Sequence, residues 1–357
     1  MLRDLNVSLE PVNPAEPTSP DWDSFLLRTP EGQLQQSTAW AAAKAFEGWQ
    51  AARTELREDN VILGGFQLLY RRRRGAKIGY VSKGPVQAEA KPGLRERLQL
   101  LLKQTAGQLR LAALVVQPPD RALNFWNGAA GFEPNVVLDI IEATQIINLA
   151  DRSPDSLWAD LSTGTQRKIR RAQNRSVKIH EGTIQDVPAF FNLMLATCRR
   201  QQVKPNPASI DQIYRLWNHL GAGDHVRLTF AAVGENPVSA QIVLHFGDTA
   251  SLWKVGWSGD HPEACPNHLL RWESIKYAAE AGAKRYDFMS FPVEAEKAAL
   301  LAEAPFPDLE KTRQWFHIGF GGKPVLLPPA RLYLPSKPAR LTYRFFCALR
   351  GSFRNRR

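Results

Sequence analysis

Two spacings of apolar residues alternate along this chain, and each predicts an element. Trp40, Ala41, Ala42, Ala43 and Phe46 read as a short helix, capped by Ser37 or Thr38 and stopped by Gly48. Residues 61–70 and 77–81 read as two strands, joined by a turn at 71–75 that holds four consecutive arginines, Arg71 to Arg74. Leucines at 94, 98, 101, 102 and 109 have helical spacing. The run 112–116 then reads as a short buried strand ended by Pro118-Pro119.

The order strand, turn, strand, helix, strand recurs. Residues 229–233, 238–246 and 250–257 read as strands, with Gly247-Asp248 turning between the last two. Residues 267–281 read as a helix stopped by Gly282, and 285–288 as a strand. This repeat, offset by roughly 170 to 180 residues, predicts a duplicated α/β unit that changes over between Ile146 and Ser153. A basic helix, 163–172, and a second helix, 186–202, lie between the two hairpins. Arg167, Lys168, Arg170 and Arg171 cannot all share one face at about 100° per residue, so one or two are expected to reach a ligand.

The length of 357 residues fits about two domains. Lys and Arg outnumber Asp and Glu by 46 to 35, a net charge of +11, which favours polyanionic partners: RNA, pyrophosphate-linked sugars or an anionic membrane surface. Cys198, Cys265 and Cys347 are few, odd in number and far apart, which argues against a zinc site and a disulfide framework. No run approaches the roughly 18 apolar residues of a spanning helix, and the first twenty residues lack a signal-peptide core, so the expected location is the cytoplasm.

The segment Lys77-Ile78-Gly79-Tyr80-Val81-Ser82-Lys83-Gly84-Pro85-Val86 resembles the signature hairpin of the Fem family (FemA, FemB and FemX), which builds the peptide bridges of peptidoglycan. Further matches follow in order: Trp40 and Lys44, the basic helix, Pro266-Asn267-His268-Leu269-Leu270 ahead of Trp272, and Tyr286-Asp287. Phe316, Gly319, Phe320 and Gly321 then resemble the family's closing Phe-Lys-x-x-Phe-Gly. The resemblance spans roughly residues 35–325. It implies an α/β chain of two tandem acetyltransferase-like (GNAT) domains, one at 1–147 completed by 316–357 and the other at 148–315. It also implies an aminoacyltransferase that needs no cofactor or metal. The donor would be a charged tRNA, and the acceptor the stem-peptide amine of lipid II or of UDP-MurNAc-pentapeptide.

The same resemblance assigns roles. Where the family has lysine after the closing phenylalanine this chain has Phe316-His317, and His317 would either donate to the oxyanion or a tRNA phosphate, or shuttle the amine proton. Asp287 ends a strand, where α/β folds place ligand-facing groups, and Phe288-Met289 stands where the family has a glycine pair. Lys44 matches a lysine that grips the anionic precursor, with Trp40 one turn earlier. Tyr80, Lys83, Asn267 and Phe316 lie in the matched motifs, Arg171 is the expected phosphate contact, and Lys204, in Lys-Pro-Asn-Pro, is the candidate replacement for an arginine clamp.

Two alternatives stand beside this reading. An acyl-CoA-dependent N-acyltransferase would carry an Arg/Gln-x-x-Gly-x-Gly/Ala pyrophosphate loop opening a helix. Gly319-Phe320-Gly321 comes nearest, but Phe316 precedes it by three and Pro324 follows. A non-catalytic protein that binds precursor or RNA is the other. The stretch from Lys337 to Arg357, basic and aromatic without an acidic residue, reads as a disordered tail or as an amphipathic helix. In the second case Arg344, Arg350, Arg354, Arg356, Arg357, Phe345, Phe346 and Phe353 would meet the inner membrane face.

Overall fold

A computed structural model of the chain describes residues 6–12, 19–88, 91–136, 140–220, 225–289 and 313–354. In chain order the first elements are β1 (Asn6–Val12), α1 (Pro20–Arg28), α2 (Thr38–Ala45), β2 (Gln50–Glu58), β3 (Val61–Arg73), β4 (Ala76–Ser82), β5 (Val86–Gln87), α3 (Leu94–Gln108), β6 (Ala113–Gln117) and β7 (Phe132–Pro134). There follow β8 (Ala143–Asn148), α4 (Pro154–Ala159), α5 (Thr163–Asn174), β9 (Lys178–Gly182), α6 (Val187–Gln201), α7 (Ile210–Leu220), β10 (Val226–Val233), β11 (Asn236–Phe246), β12 (Thr249–Trp257), α8 (Pro266–Glu280) and β13 (Arg285–Asp287). The chain closes with α9 (Arg313–Ile318), β14 (Lys323–Leu326), β15 (Arg331–Tyr333) and α10 (Lys337–Arg354).

The chain divides into two units, one of residues 1–142 and 327–357 and the other of 143–326. The return to the first unit therefore comes at residue 327 and not at 316: β14 pairs antiparallel with β8, which keeps Phe316, His317 and the turn after them in the second unit.

In the first unit one sheet runs β1-β2-β3-β4-β6-β15-β7, with β5 beside β3. β4 and β6 are parallel, joined by α3, whose Leu94, Leu98, Leu101 and Leu102 pack into the core with Phe66, Leu68 and Val116. The hairpin is longer than its pattern indicates. Arg71, Arg72 and Arg73 lie in β3, paired with Ile78, Lys77 and Ala76, and the turn is only Arg74-Gly75, both at positive φ. A two-residue hairpin needs such a pair to match the strand twist, so the expected four-arginine tip does not form. Arg71 lies over Trp49 at 4.3 Å.

In the second unit the order is β14-β8-β13-β12-β11-β10-β9, and α8 joins the parallel strands β12 and β13. Cys265, at positive φ, turns the chain into Pro266 at the first helical position, where its missing N–H costs nothing. Gly282 leaves the helix at φ 84°. Only Thr249, Ala250 and Ser251 of β12 pair with β13, whereas β4 and β6 share five pairs. Among the described residues β12 thus runs on from Leu252 to Trp257 with no ladder partner on its β13 side.

Candidate functional site

Side chains alternate across β13, and this sorts the site residues. Tyr286 faces α8, where its hydroxyl meets Ser274 Oγ at 2.9 Å and accepts a hydrogen bond from Arg271 Nη1 at 3.2 Å. Asp287 faces the other way: Thr144 Oγ1 and the backbone N–H of Met289 (2.7 Å) both donate to its Oδ1. Just past the strand, Phe288 rejoins the α8 side, 5.3 Å from Tyr286.

His317 lies buried against Phe288, stacked at 4.4 Å and 22°, with only 3% of its surface exposed. Phe316 packs edge-on against His268 of α8 at 4.7 Å and against Phe320 at 5.2 Å. The turn that carries this pair needs its glycines. A Cβ on Gly319 would meet Thr165 Oγ1 at 2.3 Å, and Gly321 has φ 82° with Asp160 at 3.0 Å from where its Cβ would lie. Ser162 caps α5 through Thr165 N and donates its own N–H to Gly319 O at 2.9 Å, so the closing turn is tied to the start of the basic helix. A strand, β14, follows Gly319-Phe320-Gly321, so no helix opens there toward a pyrophosphate.

Two groups missed by sequence reasoning border this cluster. Burial, and after it Lys168, pushes the His268 imidazole down to about 3, so the ring stays neutral through the physiological range. Arg271 is buried with neutral partners, Gln241 Oε1 at 2.5 Å and the Tyr286 hydroxyl, and its guanidinium lies 6.0 Å from the Phe288 ring. An arginine inside a helix that reads as apolar core, His-Leu-Leu-Arg-Trp, is the signal that could have marked it.

The expected site residues do not all join this cluster. Asn267 sits at the start of α8 and accepts from Ser239 Oγ at 2.5 Å. Lys204 is exposed in the segment between α6 and α7, away from these contacts. On α5, Thr165, Ile169 and Ala172 are buried. Arg167, Arg170 and Arg171 line one open cleft together with Arg175, and Lys168, which does not line it, lies near enough to His268 for its charge to act on the imidazole. The four basic residues at 167, 168, 170 and 171 thus do not all share one face, in keeping with the helical spacing, but three arginines and not one or two of the four line the cleft.

In the first unit Ser37 caps α2 by accepting from Trp40 N. Trp40 packs on Ala41, Ala51 and Leu69, and Lys44 lies 5.1 Å from its ring and 2.7 Å from Glu47. Such a surface pair is worth about 0.3–0.5 kcal/mol, so Lys44 can leave it for an anionic ligand at small cost. Lys83 differs. It is buried at φ 56° and donates to Asp120, whose other oxygen accepts from Gln33 at 2.7 Å, so its charge is already neutralised. The Tyr80 hydroxyl reaches Gln117 at 3.4 Å, and burial pushes the phenol above its ordinary range against a hydrogen bond to Ser82.

The C-terminal stretch forms the amphipathic helix α10. Tyr343 donates to Pro134 O at 2.7 Å, and Arg344 is forked onto Glu133 at 2.6 and 2.9 Å, so Arg344 is already paired within the unit instead of free for lipid. Leu341 and Phe345 are 66% and 68% exposed. Phe346, Arg350, Phe353, Arg354, Arg356 and Arg357 lie outside the residues whose side chains are described. Among the described residues no helix is long and apolar enough to cross a membrane.

Comparison with known proteins adds four findings. Residues 162–296 match the family described as acetyltransferase (GNAT) domain. The chain is 23% identical over 346 residues to a lipid II:glycine glycyltransferase of Staphylococcus haemolyticus (strain JCSC1435), covering 76% of this chain and 83% of that one. It is 26% identical over 353 residues, with the same coverage, to the protein of that name in Staphylococcus aureus (strain MRSA252). Among solved structures, the crystal structure of FemX matches with a TM-score of 0.76 at 18% identity, covering 94% of this chain and 99% of that one.

Proposed function

Since the chain belongs to the Fem family of GNAT-fold acyltransferases, we propose that it moves an amino acid of the glycine, alanine or serine class from aminoacyl-tRNA to a peptidoglycan precursor. The acceptor is the stem-peptide amine of lipid II or of UDP-MurNAc-pentapeptide, and the product is an interpeptide bridge. What carries the reading is the likeness to glycyltransferases over three quarters of the chain, joined to a closing turn that holds Phe316 and His317 against β13 and α8.

The chemistry asks little beyond positioning. An aminoacyl ester is already activated, so the protein must hold two polyanionic substrates together and supply a neutral amine. A lysine-type amine with a reference pKa of about 10.4 costs on the order of 4 kcal/mol to deprotonate near pH 7.5 unless the site takes the proton. The amine nitrogen attacks the ester carbonyl, the carbon–oxygen bond to the tRNA ribose breaks, and the amine proton leaves with the ribose oxygen. His317 is the group assigned to the oxyanion or to that proton, with neutral His268 and Phe316 shaping its surroundings. Lys44 is assigned to the anionic part of the precursor.

The test is transfer of a radiolabelled amino-acid mixture from total charged tRNA to lipid II or UDP-MurNAc-pentapeptide, with and without RNase. RNase-sensitive product is expected. Product that survives RNase, or none with either acceptor, would end the reading.

A lipid-linked acceptor places the protein at the inner membrane face, and α10 is the element assigned to that contact. Leu341 and Phe345 insert shallowly, and the exposed Lys337 at the start of the helix meets anionic headgroups. The Leu341→Asp/Phe345→Asp variant keeps the Tyr343 and Arg344 contacts and is expected to lose sedimentation with anionic vesicles. Equal partitioning of the two proteins would refute the contact.

A further inference from the structure

Helix α5 presents two faces of opposite character. Thr165, Ile169 and Ala172, spaced by four and three, pack inward. Thr163, Arg167, Arg170, Arg171, Asn174 and Arg175 line an open cleft on the other side. Four guanidinium groups thus gather within nine residues. Among the described residues Arg167, Arg170 and Arg171 form no ion pair, and Arg175 reaches Glu263 only at 3.8 Å, with both side chains about half exposed. Arg170 rests over Trp158 at 5.3 Å, which holds its side chain in place without neutralising it.

Like charges placed this close repel, and the C-terminal end of the helix offsets only part of that. The arrangement fits a polyanion that neutralises several charges at once. From Arg167 to Arg175 the helix rises about 12 Å. At about 3.4 Å of rise per phosphate, a nucleic-acid strand sets three to four phosphates along that length, whereas a pyrophosphate offers two. The cleft is lined by no leucine, isoleucine or phenylalanine, unlike α10, so it lacks the apolar groups that insert into a lipid surface.

We infer that this arginine face is the track for the phosphate backbone of the tRNA donor, contacting it without reading sequence. The inference rests on the aminoacyl-tRNA reading above. It adds Arg167, Arg170 and Arg175 to Arg171 and makes them act together.

The experiment compares full-length wild type, Arg167→Gln/Arg171→Gln/Arg175→Gln, and a control of equal unit and similar charge loss, Lys178→Gln/Arg199→Gln, all exposed positions. Binding of uncharged tRNA is measured by fluorescence anisotropy from 50 to 300 mM salt, after thermal unfolding has confirmed that the three proteins fold alike. Each lost phosphate contact reduces the slope of log K against log salt by about 0.7–0.9, so the triple variant is expected to flatten it by about 2 to 3 while the control keeps the wild-type slope. An unchanged slope in the triple variant, or an equal change in the control, overturns the track while leaving the tRNA donor intact. Loss of anionic-vesicle binding with an unchanged slope overturns it in favour of a membrane contact. Wild type that binds no tRNA, together with RNase-insensitive transfer, overturns the donor reading and the track together.

Discussion

Replacing His317 by phenylalanine is expected to lower the rate of transfer by about 10²- to 10³-fold, the loss that follows removal of a single well-placed oxyanion donor or proton-transfer group. Phenylalanine can keep the stack on Phe288, which lies 4.4 Å from the imidazole, while removing both ring nitrogens. The variant therefore separates chemistry from packing. KM for both substrates and the melting temperature should stay near wild type, and a rate that also stays near wild type would reduce the imidazole to a packing element.

A comparable effect is expected from one methyl group at Gly319. The added Cβ would lie 2.3 Å from Thr165 Oγ1, closer than any relaxed contact, and a tight 3.3 Å from Ser162 Oγ, so the closing turn or Thr165 must shift. Overpacking of this kind costs about 1–3 kcal/mol, and because Phe316 and His317 ride on the same turn, Gly319→Ala should lose activity as well as stability. Thr165→Ala removes the obstructing oxygen and keeps the cap, since Ser162 Oγ accepts from the Thr165 backbone N–H at 3.2 Å. The double variant should then recover most of the loss, with a coupling of about 0.5–3 kcal/mol. Strictly additive effects would show that the turn does not press on α5.

Much of this protein was legible before folding was considered, and the residues that were share one property. The leucines of α3, the capped start of α2, the hairpin strands around Gly79 and Tyr80, and the Pro266 and Gly282 limits of α8 are all set by neighbours within about four positions. Periodicity and cap chemistry are local, so they survive in the order of residues. The resemblance to Fem proteins rests on such local segments, and so does the repeated strand and helix order.

What escaped was either disguised or distant. β2 carries Arg53, Thr54 and Glu55 in a fully covered stretch, so its pattern reads as polar although the strand is buried. Arg53 is tolerated there because Gln67 accepts from it at 3.2 Å and Trp22 lies 5.4 Å from its guanidinium. α7 has Ile213, Leu216 and Leu220 at helical spacing, a signal that was present and passed over. No spacing rule could have tied Lys83 to Asp120, Arg344 to Glu133 or Phe288 to His317, because each partner comes from a remote segment that only the folded sheet and its crossover helices bring within reach. The sequence by itself determined which residues share a helix face or a strand side, since backbone geometry makes that a matter of counting. Which charges are neutralised, which arginines stay open to a ligand and which aromatic ring receives the imidazole were decided by the tertiary structure, since electrostatics and packing act through distance in space and not along the chain.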